Sequence, residues 1–155
     1  MKVSIIMGSV SDYEVMSAAE RILSAFGVDY EKKVVSAHRT PDLMYDYIKG
    51  ARDRGVGVII AGAGGAAHLA GVAAGLTTLP VIAVPMQTKS LGGLDSLLSM
   101  VQMPTGIPVA TVAIGGAANA AILAVEILAL SDPSLKDGLD AYRKEQADKI
   151  YNTTI

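Results

Sequence analysis

Short apolar runs alternate with longer stretches of helical spacing along the whole chain. Residues 3–7 form a short, mostly apolar run of the kind a strand buried on both faces presents. Over residues 12–26, Val15, Met16, Ala19, Ile22, Leu23 and Phe26 then recur on one helical face, and Gly27 closes the helix. A second strand over 30–35 is followed by a helix over 41–54, with Leu43, Met44, Tyr47, Ile48 and Ala51 inward and Gly55 as the stop. Residues 56–61 give a third strand and 66–76 an alanine-rich helix, while 81–84 gives a fourth strand before Pro85. A glycine-containing loop over 86–93 leads to a short helix over 94–101, and the prolines of 102–108 mark irregular chain. The fifth strand is expected over 109–114, an apolar helix over 117–130, and a charged helix over 133–151, restarted by Asp132-Pro133 and packing outside the core.

Five βα units with apolar strands call for a parallel sheet covered on both faces. The right-handed crossover rule leaves few topologies. The expectation is a flavodoxin-like three-layer αβα sandwich, its five-stranded parallel sheet in the order 2-1-3-4-5, plus the C-terminal helix. Length favours one domain over residues 1–155. In such a sheet, ligands bind beyond the carboxyl ends of the strands, at the point where the strand order reverses.

Composition narrows the partners. Half of the residues (51%) are hydrophobic, and neither 55–88 nor 96–125 contains Asp, Glu, Lys or Arg. Both stretches are broken by glycine and proline and neither holds a clean membrane-length span, so no membrane partner is expected. Small residues dominate them instead, which suits close backbone packing in an obligate oligomer. A net charge of -2 and the lack of a basic block argue against nucleic acid. The absence of cysteine removes disulfides, thiolate nucleophiles and cysteine metal sites, and two histidines offer little for zinc. With the first strand at Lys2 or Val3 there is no room for a signal peptide, so the cytoplasm is the expected compartment.

Three polar loops follow strands one, two and three, which the proposed order makes neighbours. In the first, Gly8-Ser9-Val10-Ser11-Asp12, a tight turn places the Ser9 and Ser11 hydroxyls beside free amides, suited to phosphate, and Asp12 could accept from a ribose diol. The alternative is an ordinary helix cap by Ser11 or Asp12. The second, Ser36-Ala37-His38-Arg39-Thr40-Pro41, opens a helix with Thr40 as its N-cap and Pro41 as its first residue. Arg39 can fork onto a phosphate or carboxylate, and His38 can move a proton near neutral pH; the alternative is a surface turn in which His38 packs. In the third, Ala61-Gly62-Ala63-Gly64-Gly65-Ala66-Ala67-His68, the glycines let backbone approach a flat ligand. A loose dinucleotide fingerprint fails there, because no carboxylate follows at the required distance. His68 either binds the ligand or is structural. A fourth segment, 90–104, carries Asp95, Ser96, Ser99 and Gln102. Those residues either line the site from a neighbouring subunit or, the simpler reading, belong to a connection at an interface.

These segments together resemble the class I N5-carboxyaminoimidazole ribonucleotide mutase family. The resemblance is carried by Met7-Gly8-Ser9-Val10-Ser11-Asp12, Val35-Ser36-Ala37-His38-Arg39-Thr40-Pro41, Ala61 to Leu69, Leu94-Asp95-Ser96-Leu97-Leu98-Ser99 with Val101-Gln102-Met103-Pro104, and Gly106 to Thr111, in order along nearly the whole chain. It implies a homo-octamer and a reaction free of cofactor and metal, in which a carboxylate moves from an exocyclic nitrogen to C4 of an imidazole through enclosed CO2. His38 matches the family's catalytic histidine. Ser9, Ser36 and Arg39 match phosphate positions, with Ser11 and Ala37 in the same loops, and Asp12 matches the ribose contact. Gly64, Gly65, Ala66, Ala67, His68 and Leu69 match the loop around base and carboxylate. A transient contact with the preceding pathway enzyme is left open. Departures are Ala70 where the family usually has proline, Ala83 where glycine is common, and a segment around Gly115 to Ala118 about two residues shorter than in many members. The competing readings are a class II enzyme that carboxylates aminoimidazole ribonucleotide directly, a non-catalytic nucleotide-binding module, and a flavin or nicotinamide protein.

Overall fold

The computed structural model describes residues 1–154. In chain order it contains β1 (Lys2–Met7), α1 (Tyr13–Ala25), β2 (Tyr30–Val34), α2 (Pro41–Lys49), β3 (Val56–Ala63), α3 (Leu69–Leu76), β4 (Val81–Pro85), α4 (Leu94–Val101), β5 (Ala110–Thr111), α5 (Ala117–Ala129) and α6 (Pro133–Tyr151). One 3-10 turn, Val10–Asp12, precedes α1. The strands are all parallel and run β2-β1-β3-β4-β5, the flavodoxin-like order expected from the alternation.

Side-chain alternation along the strands divides the core in two. On one face Val3, Ile5, Met7, Val58, Ile60, Ile82 and Val84 pack against Met16, Ala19 and Leu23 of α1 and the alanines of α5. On the other, Ile6, Ile59, Ala61 and Ala83 pack against Met44 and Ile48 of α2, Ala70 and Ala73 of α3 and Met100 of α4. Ala70 sits fully buried in the first turn of α3, and Ala83 is fully buried in β4. The charged α6 buries only Leu139 among its own residues; it packs against α5, and Leu139 joins the core on that face.

Several boundaries differ from the hydrophobic pattern. Helix α2 ends at Lys49, not Arg54, because the chain turns at Gly50 and again at Gly55, whose φ of 82° suits glycine. Arg54 is thereby drawn away from a helix and onto Glu31. Leu43 points outward, 43% exposed. Strand β5 is only two residues long: it is the sheet edge, it follows Pro108, and the chain beyond it is tied by isolated bonds from Val112 N–H to Ala83 O and Gly115 N–H to Pro85 O. Helix α3 starts three residues later than expected, for a reason that belongs to the site.

One polar cluster locks β1 and β2 to α2. Ser4, fully buried in β1, shares a 3.0 Å hydrogen bond with the Tyr47 hydroxyl, which donates to Glu31 Oε1 at 2.7 Å. Arg54 Nη2 and Lys2 Nζ reach Glu31 at 2.9 and 2.8 Å. Burial alone pushes the Glu31 carboxyl up, but donors from Arg54, Lys2 and Tyr47 outweigh it and hold it at about 2. Burial, reinforced by Glu31, pushes Tyr47 up to about 12.

Glu31→Gln is expected to lower stability at neutral pH by about 1–3 kcal/mol in denaturant titrations, the range for hydrogen bonds to charged groups. Because the folded-state value is depressed, this contribution is present above about 4.5 and is lost as pH falls toward about 2, so wild type and variant should converge over that interval.

Candidate active site

The register of the sheet sets where the site lies. Met7 at the end of β1 is level with Val34 of β2 and Gly62 of β3. The three loops that follow therefore leave the sheet at one height and hold one another: Gly8 N–H donates to Gly62 O at 3.1 Å and Val35 N–H to Met7 O at 2.9 Å. Between them lies a cavity of about 450 Å3. Its lining includes Ser9, Ser11, Asp12, Ser36, Ala37, His38, Arg39, Gly64, Ala66, His68 and Leu69. Of the residues singled out in the sequence, Gly65 and Ala67 do not line it. Ala67 is buried behind the wall, and the Gly65 amide turns toward α4. Gly8 and Ala63 also line it. Ala63 fell within the third loop of the sequence reading without a role of its own; in the structure β3 runs two residues further than expected and ends on it, and its methyl group gives no chemical signal in the sequence.

The first loop is a capping box. The Ser9 hydroxyl accepts from Ser11 N–H at 3.3 Å and from the Ser11 hydroxyl at 2.9 Å, while Asp12 Oδ2 accepts from Ser9 N–H at 3.1 Å. The cap is therefore Ser9, not the expected Ser11 or Asp12: Asp12 closes the box from its third position, makes no side-chain cap bond to α1, and lines the cavity. Burial raises the Asp12 carboxyl above its usual value, opposed by the Ser9 and Gly8 amides and the Arg39 charge.

In the second loop Thr40 does not cap α2. Its hydroxyl accepts from Ser36 N–H at 3.0 Å and donates to Ser36 O at 3.1 Å, closing the Ser36–Thr40 turn on itself. Ser36 Oγ accepts from Arg39 N–H at 3.1 Å and from Arg39 Nε at 3.4 Å, and Arg39 Nη2 donates to Gly8 O at 2.9 Å. Within the chain, the Ser9 and Ser36 hydroxyls thus act as acceptors from neighbours while their own protons, and Arg39 Nη1, remain uncommitted at the cavity. That is a set of donors for a phosphate.

The third loop explains the late start of α3. Gly65 has φ of 69°, and tight bonds from Ala67 N–H to Gly65 O and His68 N–H to Ala66 O delay the helix until His68, its N-cap residue. His68 stands at the N-cap of α3, its carbonyl accepting from Val72 N–H at 2.9 Å, and its ring reaches across so that Nδ1 lies 2.8 Å from Nε2 of His38, with the rings at 86°. One ring donates and the other accepts. Residues 94–99 lie behind this loop, on its own subunit's side: Ser96 and Ser99 bond Gly65.

The fold and site together define a flavodoxin-like α/β protein with a corner of serine hydroxyls and one guanidinium beside a histidine pair. A family model described as AIR carboxylase matches residues 2–149, and the chain belongs to that family. It is 64% identical over 138 residues to the N5-carboxyaminoimidazole ribonucleotide mutase of Aquifex aeolicus, covering 89% of this chain and 83% of that one. It is 56% identical over 154 residues to that of Saccharolobus solfataricus, covering 99% and 98%. The crystal structure of Treponema denticola PurE superposes with a TM-score of 0.88 at 33% identity, covering 96% of this chain and 93% of that one.

Arg39→Lys keeps the charge but cannot span Gly8 O and Ser36 while presenting a fork. Calorimetry with ribose 5-phosphate should show binding weakened by about 10-fold or more, equivalent to about 1.4 kcal/mol. The melting temperature should stay within a few degrees.

Proposed function

We propose that this protein is an N5-carboxyaminoimidazole ribonucleotide mutase of purine biosynthesis, moving the substrate's carboxylate from its exocyclic nitrogen to C4 of the imidazole. The observation that carries the reading is the placement of His38, the proton carrier, between an anion-binding corner and a wall of glycine and alanine within one cavity. Relatives named for this activity at 56–64% identity support it.

The phosphate sits on Ser9, Ser36 and Arg39, with Ser11 and Ala37 in the same two loops, and Asp12 accepts from the ribose. This anchoring directs the imidazole toward His38 and the 64–69 loop. Cleavage of the N–CO2 bond leaves its electron pair on nitrogen, which takes a proton from His38, so CO2 and aminoimidazole ribonucleotide coexist in the cavity. C4 then attacks CO2, forming the C–C bond. The C4 proton returns to the now neutral His38, and the ring regains its aromaticity. One imidazole thus serves as acid and then base. Nothing is left over in this balance, so the proposed reaction uses no cofactor and no metal. In the free protein His68 holds His38 Nε2 in the cavity, and the substrate nitrogen takes over that contact.

Enclosing CO2 requires that water be kept out, yet His38 and His68 are both exposed in the single chain. A neighbouring copy covering the mouth meets that need, which supports a homo-octamer as the working form. Leu91, Leu94, Leu98 and Val101 are 47–61% exposed along α4 and its approach, and supply an apolar face for such contact. Among the described residues no helix is long and apolar enough to cross a membrane. The cytoplasm is the proposed compartment, and a transient contact with the preceding pathway enzyme would deliver the labile substrate. Neither nucleic acid nor membrane has a part in this reading.

His38→Asn is expected to bind aminoimidazole ribonucleotide within about 3-fold of wild type while losing roughly 10²- to 10⁴-fold in turnover, the usual weight of a general acid–base group. Full activity in the variant would remove His38 from this role. The family description, AIR carboxylase, favours one second reading, direct carboxylation of aminoimidazole ribonucleotide. Turnover restricted to aminoimidazole ribonucleotide plus low bicarbonate, with none of N5-carboxyaminoimidazole ribonucleotide, would establish that reading instead.

A further inference from the structure

We propose that Ser96 is a positioning residue for the histidine end of the cavity, a latch that sets the 64–68 turn from behind. The inference rests on the mutase reading above. Ser96 is fully buried in α4 and touches no part of the cavity lining described by the phosphate and ribose groups. Its hydroxyl donates to Met86 O at 2.8 Å and accepts from Gly65 N–H at 2.9 Å. One hydroxyl therefore joins the chain leaving β4 to the chain leaving β3.

The Gly65 peptide is held on its other side as well. Ser99 Oγ shares its one proton between Asp95 O at 2.7 Å and, more weakly, Gly65 O at 3.3 Å. Helix α4 is itself anchored at its start, where the Thr88 hydroxyl donates to Asp95 Oδ1 at 2.7 Å and accepts from Gly93 N–H at 3.2 Å. The order of dependence runs from α4 to Gly65, from Gly65 through the Ala67 and His68 amides to the histidine ring, and from there to His38. The wall is also closely fitted: a Cβ at Gly64 would lie 3.2 Å from Met86 Cβ and 3.8 Å from Ser96 Oγ. A small shift of this turn moves both the surface that confines CO2 and the ring beside His38. Ser9, Ser36 and Arg39 belong to the other two loops and do not bond α4, so the latch acts on chemistry and leaves the anion end in place.

Ser96→Ala removes both bonds and leaves Gly65 N–H and Met86 O without a partner. The expected result is a kcat lowered by about 30-fold, the effect of two lost hydrogen bonds, with Kd for aminoimidazole ribonucleotide within about 3-fold of wild type. The chain has two histidines, so two-bond 1H–15N spectra resolve all four ring nitrogens. Wild type should show fixed tautomers at His38 and His68, and Ser96→Ala averaged ones. Fixed tautomers in the variant, or kcat and affinity falling together in step with a lowered folded fraction, would overturn the latch. Should Ser96→Ala fail to fold, Ser99→Ala carries the test, with kcat down about 5-fold for one lost bond and Kd unchanged; an unaltered kcat overturns the proposal. A wild-type protein that fails to turn over N5-carboxyaminoimidazole ribonucleotide, with tautomers that still average in Ser96→Ala, sinks the mutase reading and supports the latch.

Discussion

The level register of Met7 with Val34 and Gly62 is the constraint on which this structure depends. Three parallel strands that end at one height deliver three loops to one place, and those loops bond each other before they bond their own helices. Gly8 is held by Gly62, Val35 by Met7, and Arg39 reaches back to Gly8 O. A one-residue slip in β1 would send Met7 and Ile6 to the wrong faces and separate these partners. Fully buried Ile5, Ile6, Ile59 and Ile60 make such a slip costly, so the core that stabilises the fold also fixes the geometry of the cavity.

Within that frame the two ends of the cavity are built differently. The end lined by the first two loops is made of short-range bonds inside the Ser9–Asp12 and Ser36–Thr40 turns, joined by the bond from Arg39 Nη2 to Gly8 O. The histidine end is assembled over long sequence distances: His38 meets His68 from the next loop, and the turn carrying His68 leans on α4 through Ser96 and Ser99.

Strand order, layer assignment and the three converging loops were legible in the sequence, because they follow from periodicity of 2 and 3.6 and from connection rules that act over the whole chain. The residues lining the cavity were legible mainly where polar or glycine side chains interrupted apolar runs. What escaped were local competitions. Thr40 looked like a cap, yet its hydroxyl finds both Ser36 N–H and Ser36 O within reach and takes them instead. Helix α3 looked continuous from Ala66, but the left-handed Gly65 and the tight bonds after it put Ala66 and Ala67 ahead of the cap at His68. Leu43 fitted the helical stripe of α2 and still faces outward, since early termination at Lys49 leaves Met44 and Ile48 to carry the contact. Ser96 appeared as one polar residue in a loop-and-helix connection, and its role depends on β3 and β4 lying side by side, which no local pattern encodes.

In the proposed reaction one histidine serves the nitrogen and the carbon of a single ring in turn, and a crystal structure with aminoimidazole ribonucleotide in the cavity tests this. Phosphate is expected on Ser9, Ser36 and Arg39, and His38 Nε2 released from His68 and within about 3.5 Å of the exocyclic nitrogen or C4, the separation of a reactive pair. A ring seated with both atoms beyond reach of His38 would contradict it, as would His38 still bonded to His68 while another group faces C4.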